Sequence, residues 1–163
     1  MTCIESIGYT HGDINILIDD EDQLKLLDFD HARKIGDDLE VGYEPYVRVH
    51  RHETGSGGMY GIAGPVTEQF ALGSVFWYIT RGTELYADLE GSEQVDRLMD
   101  GKFPFTDPQD PIDSIISDCW HGNFQSIADL SKFIRKVAAF NKTHQEREKT
   151  CAQFYQLLSD SSR

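Results

Sequence analysis

Two short apolar runs, Ile16-Leu17-Ile18 and Leu24 to Phe29, flank the acidic cluster Asp19, Asp20, Glu21 and Asp22. β-prone runs of this length around a polar turn predict a hairpin with its carboxylates solvated at the tip. From Asp30 to Gly64 no sustained periodicity appears, and Gly36, Gly42, Pro45, Gly55, Gly57, Gly58, Gly61 and Gly64 punctuate the stretch. Loops this long inside a compact domain are uncommon and tend to carry function. Pro65-Val66-Thr67 then opens a helix, with Thr67 as N-cap or early-turn residue and Glu68 at the positive end of the helix dipole. Apolar residues on nearly every face between Phe70 and Ile79 mark a buried central helix, which Gly82 stops. Further helices are predicted over residues 93–99, 112–120 and 127–140, the second with apolar positions 112, 115, 116 and 119. A polar stretch at 141–150 precedes a last helical stripe, Cys151, Phe154, Tyr155 and Leu158.

Hairpin, long loop and helical bundle together make an α+β chain that is mainly α. At 163 residues it fits one soluble domain. Fifteen Lys and Arg against 28 Asp and Glu give a net charge of −13, which argues against a nucleic-acid binder that neutralises phosphates. The charge is uneven: residues 1–40 carry −8 and 66–131 carry −9, whereas 41–65 are neutral and 132–163 carry +4. The basic tail reads as a solvated helix, or as a segment that docks on its own domain or on an acidic partner. Three scattered cysteines with no Cys-x-x-Cys pair suit a reducing compartment. No apolar stretch approaches the roughly 18 residues of a membrane span, and no basic-then-apolar leader precedes Gly12. An intracellular protein, cytoplasmic or nuclear, without a membrane segment, is the expectation.

Candidate chemistry gathers at the hairpin. Asp13 and Asn15 precede its first strand and Asp28 follows its second, so three oxygen-bearing side chains converge on one end. Hard oxygen ligands of this kind suit Mg²⁺, and a carboxylate off the metal can accept a proton from an attacking hydroxyl. The plainer alternative has Asp13 and Asn15 capping turns and Asp28 ending a strand.

The order of residues resembles the protein kinase-like phosphotransferases, and more closely the divergent protein kinase-like domains common in fungi. His11-Gly12-Asp13 is similar to the catalytic-loop His-Arg-Asp motif, and Asp28-Phe29-Asp30 to the Asp-Phe-Gly metal motif. Glu68 to Val75 resembles the central helix of the kinase C-lobe, with Glu68 where that helix usually has Asp, and Ile116 to Phe133 resembles the lobe's last two helices. The resemblance spans residues 9–137. It implies a C-lobe over residues 1–138 followed by a basic helical tail over 139–163. It also implies ATP- and Mg²⁺-dependent phosphoryl transfer to protein Ser/Thr hydroxyls. Asp13 would then be the base, Asn15 and Asp28 the Mg²⁺ ligands, and Leu17 the floor of the adenine pocket. Residues 30–66 would dock a protein substrate, and Arg48, His50, Arg51 and His52 within them either meet an acidic group or are solvated.

Departures shape the expected activity. Asn15 follows Asp13 by two residues where the family has five. Gly12 stands for the Arg that reads a phosphorylated activation segment, and Asp30 for the motif Gly. The Ala-Pro-Glu motif and the Arg that pairs with its Glu are both missing, so no charge is left unpaired. No Gly-rich strand-turn-strand, strand Lys or partner Glu precedes His11, and residues 55–64 lack the Gly-Lys-Ser/Thr ending of a phosphate loop. This chain alone is therefore expected to be weak or inactive. The alternatives are a non-catalytic pseudokinase or interaction module, and a small-molecule phosphotransferase of the aminoglycoside or choline kinase type.

Overall fold

The computed structural model describes residues 1–21, 23–50, 60–140 and 142. A short helix, α1 (Thr2–Ser6), leads into β1 (Tyr9–Thr10). The expected hairpin follows as β2 (Asn15–Ile18) and β3 (Leu24–Leu27), antiparallel, with Asn15 opposite Leu27 and Ile18 opposite Leu24. β4 (Arg33–Lys34) returns to pair with β1 as a second two-stranded sheet. The tip is more than solvated charge. The Asp19 carboxylate accepts the amide N–H of Gln23 at 2.8 Å and of Glu21 at 3.0 Å, and pairs with Lys25 at 3.1 Å. The Gln23 amide and the Lys25 ammonium hold it below the usual carboxylate range. β3 stops at Leu27 instead of running to Phe29, because Asp28 has φ +58° and turns the chain out of the extended region.

The helices stand close to their predicted bounds: α2 (Pro65–Arg81), α3 (Gly91–Asp100), α4 (Pro111–His121) and α5 over residues 127–140. Thr67 is an early-turn residue; its Oγ1 accepts the Gly64 N–H and donates to the Gly64 carbonyl. Gly82 ends α2 in the left-handed conformation, its N–H on the Tyr78 carbonyl. Asp110 caps α4 by accepting from Ile112 and Asp113. The carboxylate of Glu5 caps α5, taking the N–H groups of Ile127 at 2.7 Å and Ala128 at 3.1 Å.

The core lies where α2 crosses α4. Phe70, Leu85, Leu98, Ile116 and Trp120 form it, with Val47 and Val49 from the long loop. Burial of α2 holds only for its first half. Glu68, Gln69, Phe70, Ala71, Gly73 and Ser74 are buried, whereas Tyr78 and Ile79 are 49% and 65% exposed, since the core ends before the helix does. Ile112 is also exposed, in the first turn of α4, ahead of the buried Ile115, Ile116 and Cys119. Arg81 pairs with Asp113, joining the last turn of α2 to the first of α4. The described part of the long loop is tied down although it lacks periodicity. Residues 36–39 run beside 61–63, with Gly36 N–H on Ala63 O, Ala63 N–H on Asp37 O and Leu39 N–H on Gly61 O. Trp120 Nε1 donates to Ser74 Oγ, which donates to the Pro45 carbonyl, so one hydrogen-bonded chain joins both core helices to the loop.

The chain divides into two compact units, Met1–Asp129 and Leu130–Arg163; the division falls within α5, before the 138/139 boundary that the resemblance implies. In the second unit α5 continues to residue 140. The stripe at Cys151, Phe154, Tyr155 and Leu158, and nearly all of the basic tail, lie outside the described residues. Among the described residues no helix is long and apolar enough to cross a membrane.

The α2–α4 crossing is close because residue 73 is glycine. A Cβ there would lie 2.9 Å from Cys119 Cβ and 3.0 Å from Trp120 Cδ1. Gly73→Ala is expected to cost about 1–3 kcal/mol by overpacking, read as a lower urea midpoint. Gly91→Ala, where a Cβ meets open space, is expected to be neutral or slightly stabilising.

Candidate active site

β1 delivers His11 and Gly12 to the start of α2. His11 is fully buried; its N–H donates to Glu68 Oε2 and the Gly12 N–H to Glu68 Oε1, both at 3.0 Å. Two consecutive amides facing one way make a small anion cradle, and the first turn of α2 presents the carboxylate to it. Gly12 has φ +81°, and a Cβ on it would lie 2.6 Å from the His31 carbonyl oxygen. A side chain at this position would meet that carbonyl, so residue 12 is held as glycine by contact as well as by its backbone angle.

Burial lifts the Glu68 carboxyl above its ordinary value, against the opposing pull of the Gly12 and His11 amides. The His11 ring donates Nε2–H to the Leu27 carbonyl at 2.9 Å and packs against Phe29 with centroids 4.8 Å apart. Its Nδ1 is buried with no hydrogen-bond partner. The ring thus fastens the catalytic-loop candidate to the end of β3.

That end of the hairpin carries the three predicted residues. Asn15 heads β2 opposite Leu27, so Asp28, the next residue, stands beside it. The short loop makes a tight turn in which Asn15 N–H donates to the Asp13 carbonyl at 2.9 Å, and Asn15 Nδ2 donates to Asp13 Oδ2 at 2.9 Å. Asp28 accepts the Asp30 N–H at 3.3 Å. The structure therefore brings Asp13 and Asn15 into direct contact and sets Asp28 at the same end. Among the described residues no group of three or more His, Cys, Asp or Glu side chains is placed to hold a metal ion. The donors available here are mixed, an amide oxygen and carboxylates. Leu17 lies mid-strand and is 52% exposed; Ile16, Ile18, Leu24, Leu27 and Phe29 are also exposed.

In the long loop, Tyr46 donates to Glu84 and Tyr60 to Glu44, while Val47 and Val49 turn inward and Arg48 and His50 are less buried. Arg51 and His52 lie outside the described residues. No sequence signal singled out Gln69, yet its buried side chain clamps the backbone of Phe124: Nε2 donates to the carbonyl at 2.7 Å and Oε1 accepts the N–H at 3.0 Å. A Gln beside a motif carboxylate on a buried helix face was the available clue.

Glu68→Ala leaves the buried His11 N–H and the part-buried Gly12 N–H without their acceptor and is expected to cost roughly 2–4 kcal/mol in urea unfolding. The raised carboxyl pKa sets a pH slope. The folded chain holds the Glu68 proton more tightly than the unfolded chain, so its contribution is full below about pH 4.5 and falls as pH rises through the folded value. Glu68→Gln is expected to remove that slope, seen by comparing unfolding free energies of the two proteins across the acidic range.

Neither a protein-family model nor a curated protein matches this chain, so function is read from the geometry.

Proposed function

We propose that residues 9–137 are the catalytic lobe of a protein kinase-like phosphotransferase, acting on Mg²⁺–ATP and a protein Ser/Thr hydroxyl. The observation that carries this reading is the Glu68 carboxylate accepting both amides of His11 and Gly12. It links the start of a buried helix to a loop more than fifty residues earlier, at the positions where the kinase resemblance puts a helix carboxylate and a catalytic loop. The His11 ring on Leu27 O and Phe29 adds support, since it couples that loop to the proposed metal motif.

In this reading Asp13 accepts the proton of the attacking hydroxyl, and Asn15 Oδ1 and the Asp28 carboxylate are the hard-oxygen donors for Mg²⁺. Mg²⁺ bound there would neutralise charge on the ATP phosphates. Leu17 offers an apolar surface to the adenine ring. The exposed hairpin supplies one wall only, so nucleotide binding by this chain is weak. Asp13 Oδ2 is already engaged by Asn15 Nδ2, which favours the pseudokinase as the second reading.

Calorimetry of the full chain with ATP, with and without Mg²⁺, separates the two. Mg²⁺-dependent binding that weakens roughly tenfold or more in Asp28→Ala is the expected result. Absence of binding in the folded wild-type chain would leave the scaffold reading standing. Phosphotransfer assays on a casein-like protein and on amino alcohols then identify the acceptor; the protein is expected to be labelled, and slowly.

A further inference from the structure

A second polar cavity, of about 290 Å³, lies among the described residues apart from Asp13, Asn15 and Asp28. Arg48 and His50 line it from the long loop, Asp100 from the end of α3, Phe103 from the following segment and His121 from the end of α4. We propose that this cavity is an oxyanion site that takes a phosphate group. It is independent of the phosphotransfer reading.

Charge is the first argument. In a chain of net charge −13, this cavity gathers one guanidinium and two imidazoles against one carboxylate. That carboxylate, Asp100, is paired with Lys102 Nζ at 2.8 Å. Among the described residues no ion pair neutralises Arg48. Arginine presents a planar fork of donors that matches phosphate oxygens.

Backbone pattern is the second argument. Residues 47–50 alternate, with Val47 and Val49 in the core and Arg48 and His50 outside it, so the guanidinium and the imidazole are displayed by a segment anchored through Pro45 and Tyr46. The volume is at the low end for ligand cavities and suits a phosphate on a short stem better than a nucleotide.

The histidines add a pH dependence. His121 donates Nδ1–H to the Ser117 carbonyl at 2.7 Å, so its Nε2 becomes a donor only when the ring is protonated. Among the described residues His50 faces Arg48 on its own segment, the Gly61 backbone, Asp100 from α3 and His121 from α4. Burial and the Arg48 charge both lower its pKa, and a bound anion works the other way. Affinity therefore falls as pH rises and the His50 imidazole loses its proton.

The test is an NMR titration of the full chain with inorganic phosphate, with a phosphoserine peptide and with the same peptide unphosphorylated, at about pH 6 and about pH 8. Expected are saturable shifts of the amides of Arg48, His50, Gly101 and His121 with phosphate and phosphopeptide but not with the plain peptide, weaker at the higher pH. Arg48→Gln is expected to weaken binding roughly tenfold, the loss of one charge-assisted hydrogen bond. A phosphopeptide that binds tighter than phosphate identifies a phosphorylated side chain as the source; equal affinities identify the free ion. Shifts that do not saturate, or that map to the hairpin in the wild-type chain, would overturn the proposal whatever the fate of the variant. An unchanged affinity in a folded Arg48→Gln protein would overturn it as well.

Discussion

One buried carboxylate sets the relation between loop and helix on which the candidate site depends. Glu68 is 6% exposed and carries no cationic partner in its hydrogen bonds, only two backbone amides. Removing a carboxylate from water costs several kcal/mol, and two amide donors offset part of that. The upward displacement of its pKa says that the offset is incomplete. A fold that keeps such a group gains position in return: His11 and Gly12 must adopt the backbone that aims both N–H groups at one acceptor.

That constraint propagates by contact. With Gly12 held at positive φ against the His31 carbonyl, the His11 ring is directed at Leu27 and Phe29, and the register of β2 on β3 then fixes Asn15 beside Asp28. Each link is a short hydrogen bond or a steric contact, so the loop is defined although few of its residues are in regular structure. Farther along α2 the long loop is held in the same way, through Ser74 on Pro45, while Gly73 packs against Cys119 and Trp120 of α4. Burial pushes the Cys119 thiol up to about 12, in keeping with a packing role. One helix thereby orients two loops.

Much of this was legible in the residues. The hairpin followed from two apolar runs around Asp19, and the helices from periodicity, with Gly82 as the stop of α2. What the pattern missed depends on tertiary contact. β1 and β4 are two residues each and form only because they pair with one another, and Glu5 is an ordinary surface residue until the start of α5 meets it. Val47 and Val49 alternate with Arg48 and His50 over too few residues to register as a period. Exposure of Tyr78 and Ile79 was hidden for the converse reason: apolar side chains on every face of α2 say nothing of where the core ends. Order and spacing put the candidate residues Asp13, Asn15 and Asp28 at one end of the hairpin, whereas Gln69 was visible only through the backbone it clamps.

On the proposed reading, the tight turn between Asp13 and Asn15 decides what kind of site this is. With one residue between them, the Asn15 amide closes on the Asp13 carbonyl and its side chain on the Asp13 carboxylate. On the proposed reading, base and metal ligand then move as one body, and neither adjusts separately to a hydroxyl or a phosphate. Ligand binding tolerates such coupling on that reading, since Asn15 and Asp28 still stand at one end of the hairpin. In-line transfer does not, because a displacement of about 1 Å at a reacting group can lower the rate by about 100-fold. On the proposed reading the local geometry thus favours nucleotide binding over fast chemistry, and it does so through a single hydrogen-bonded turn.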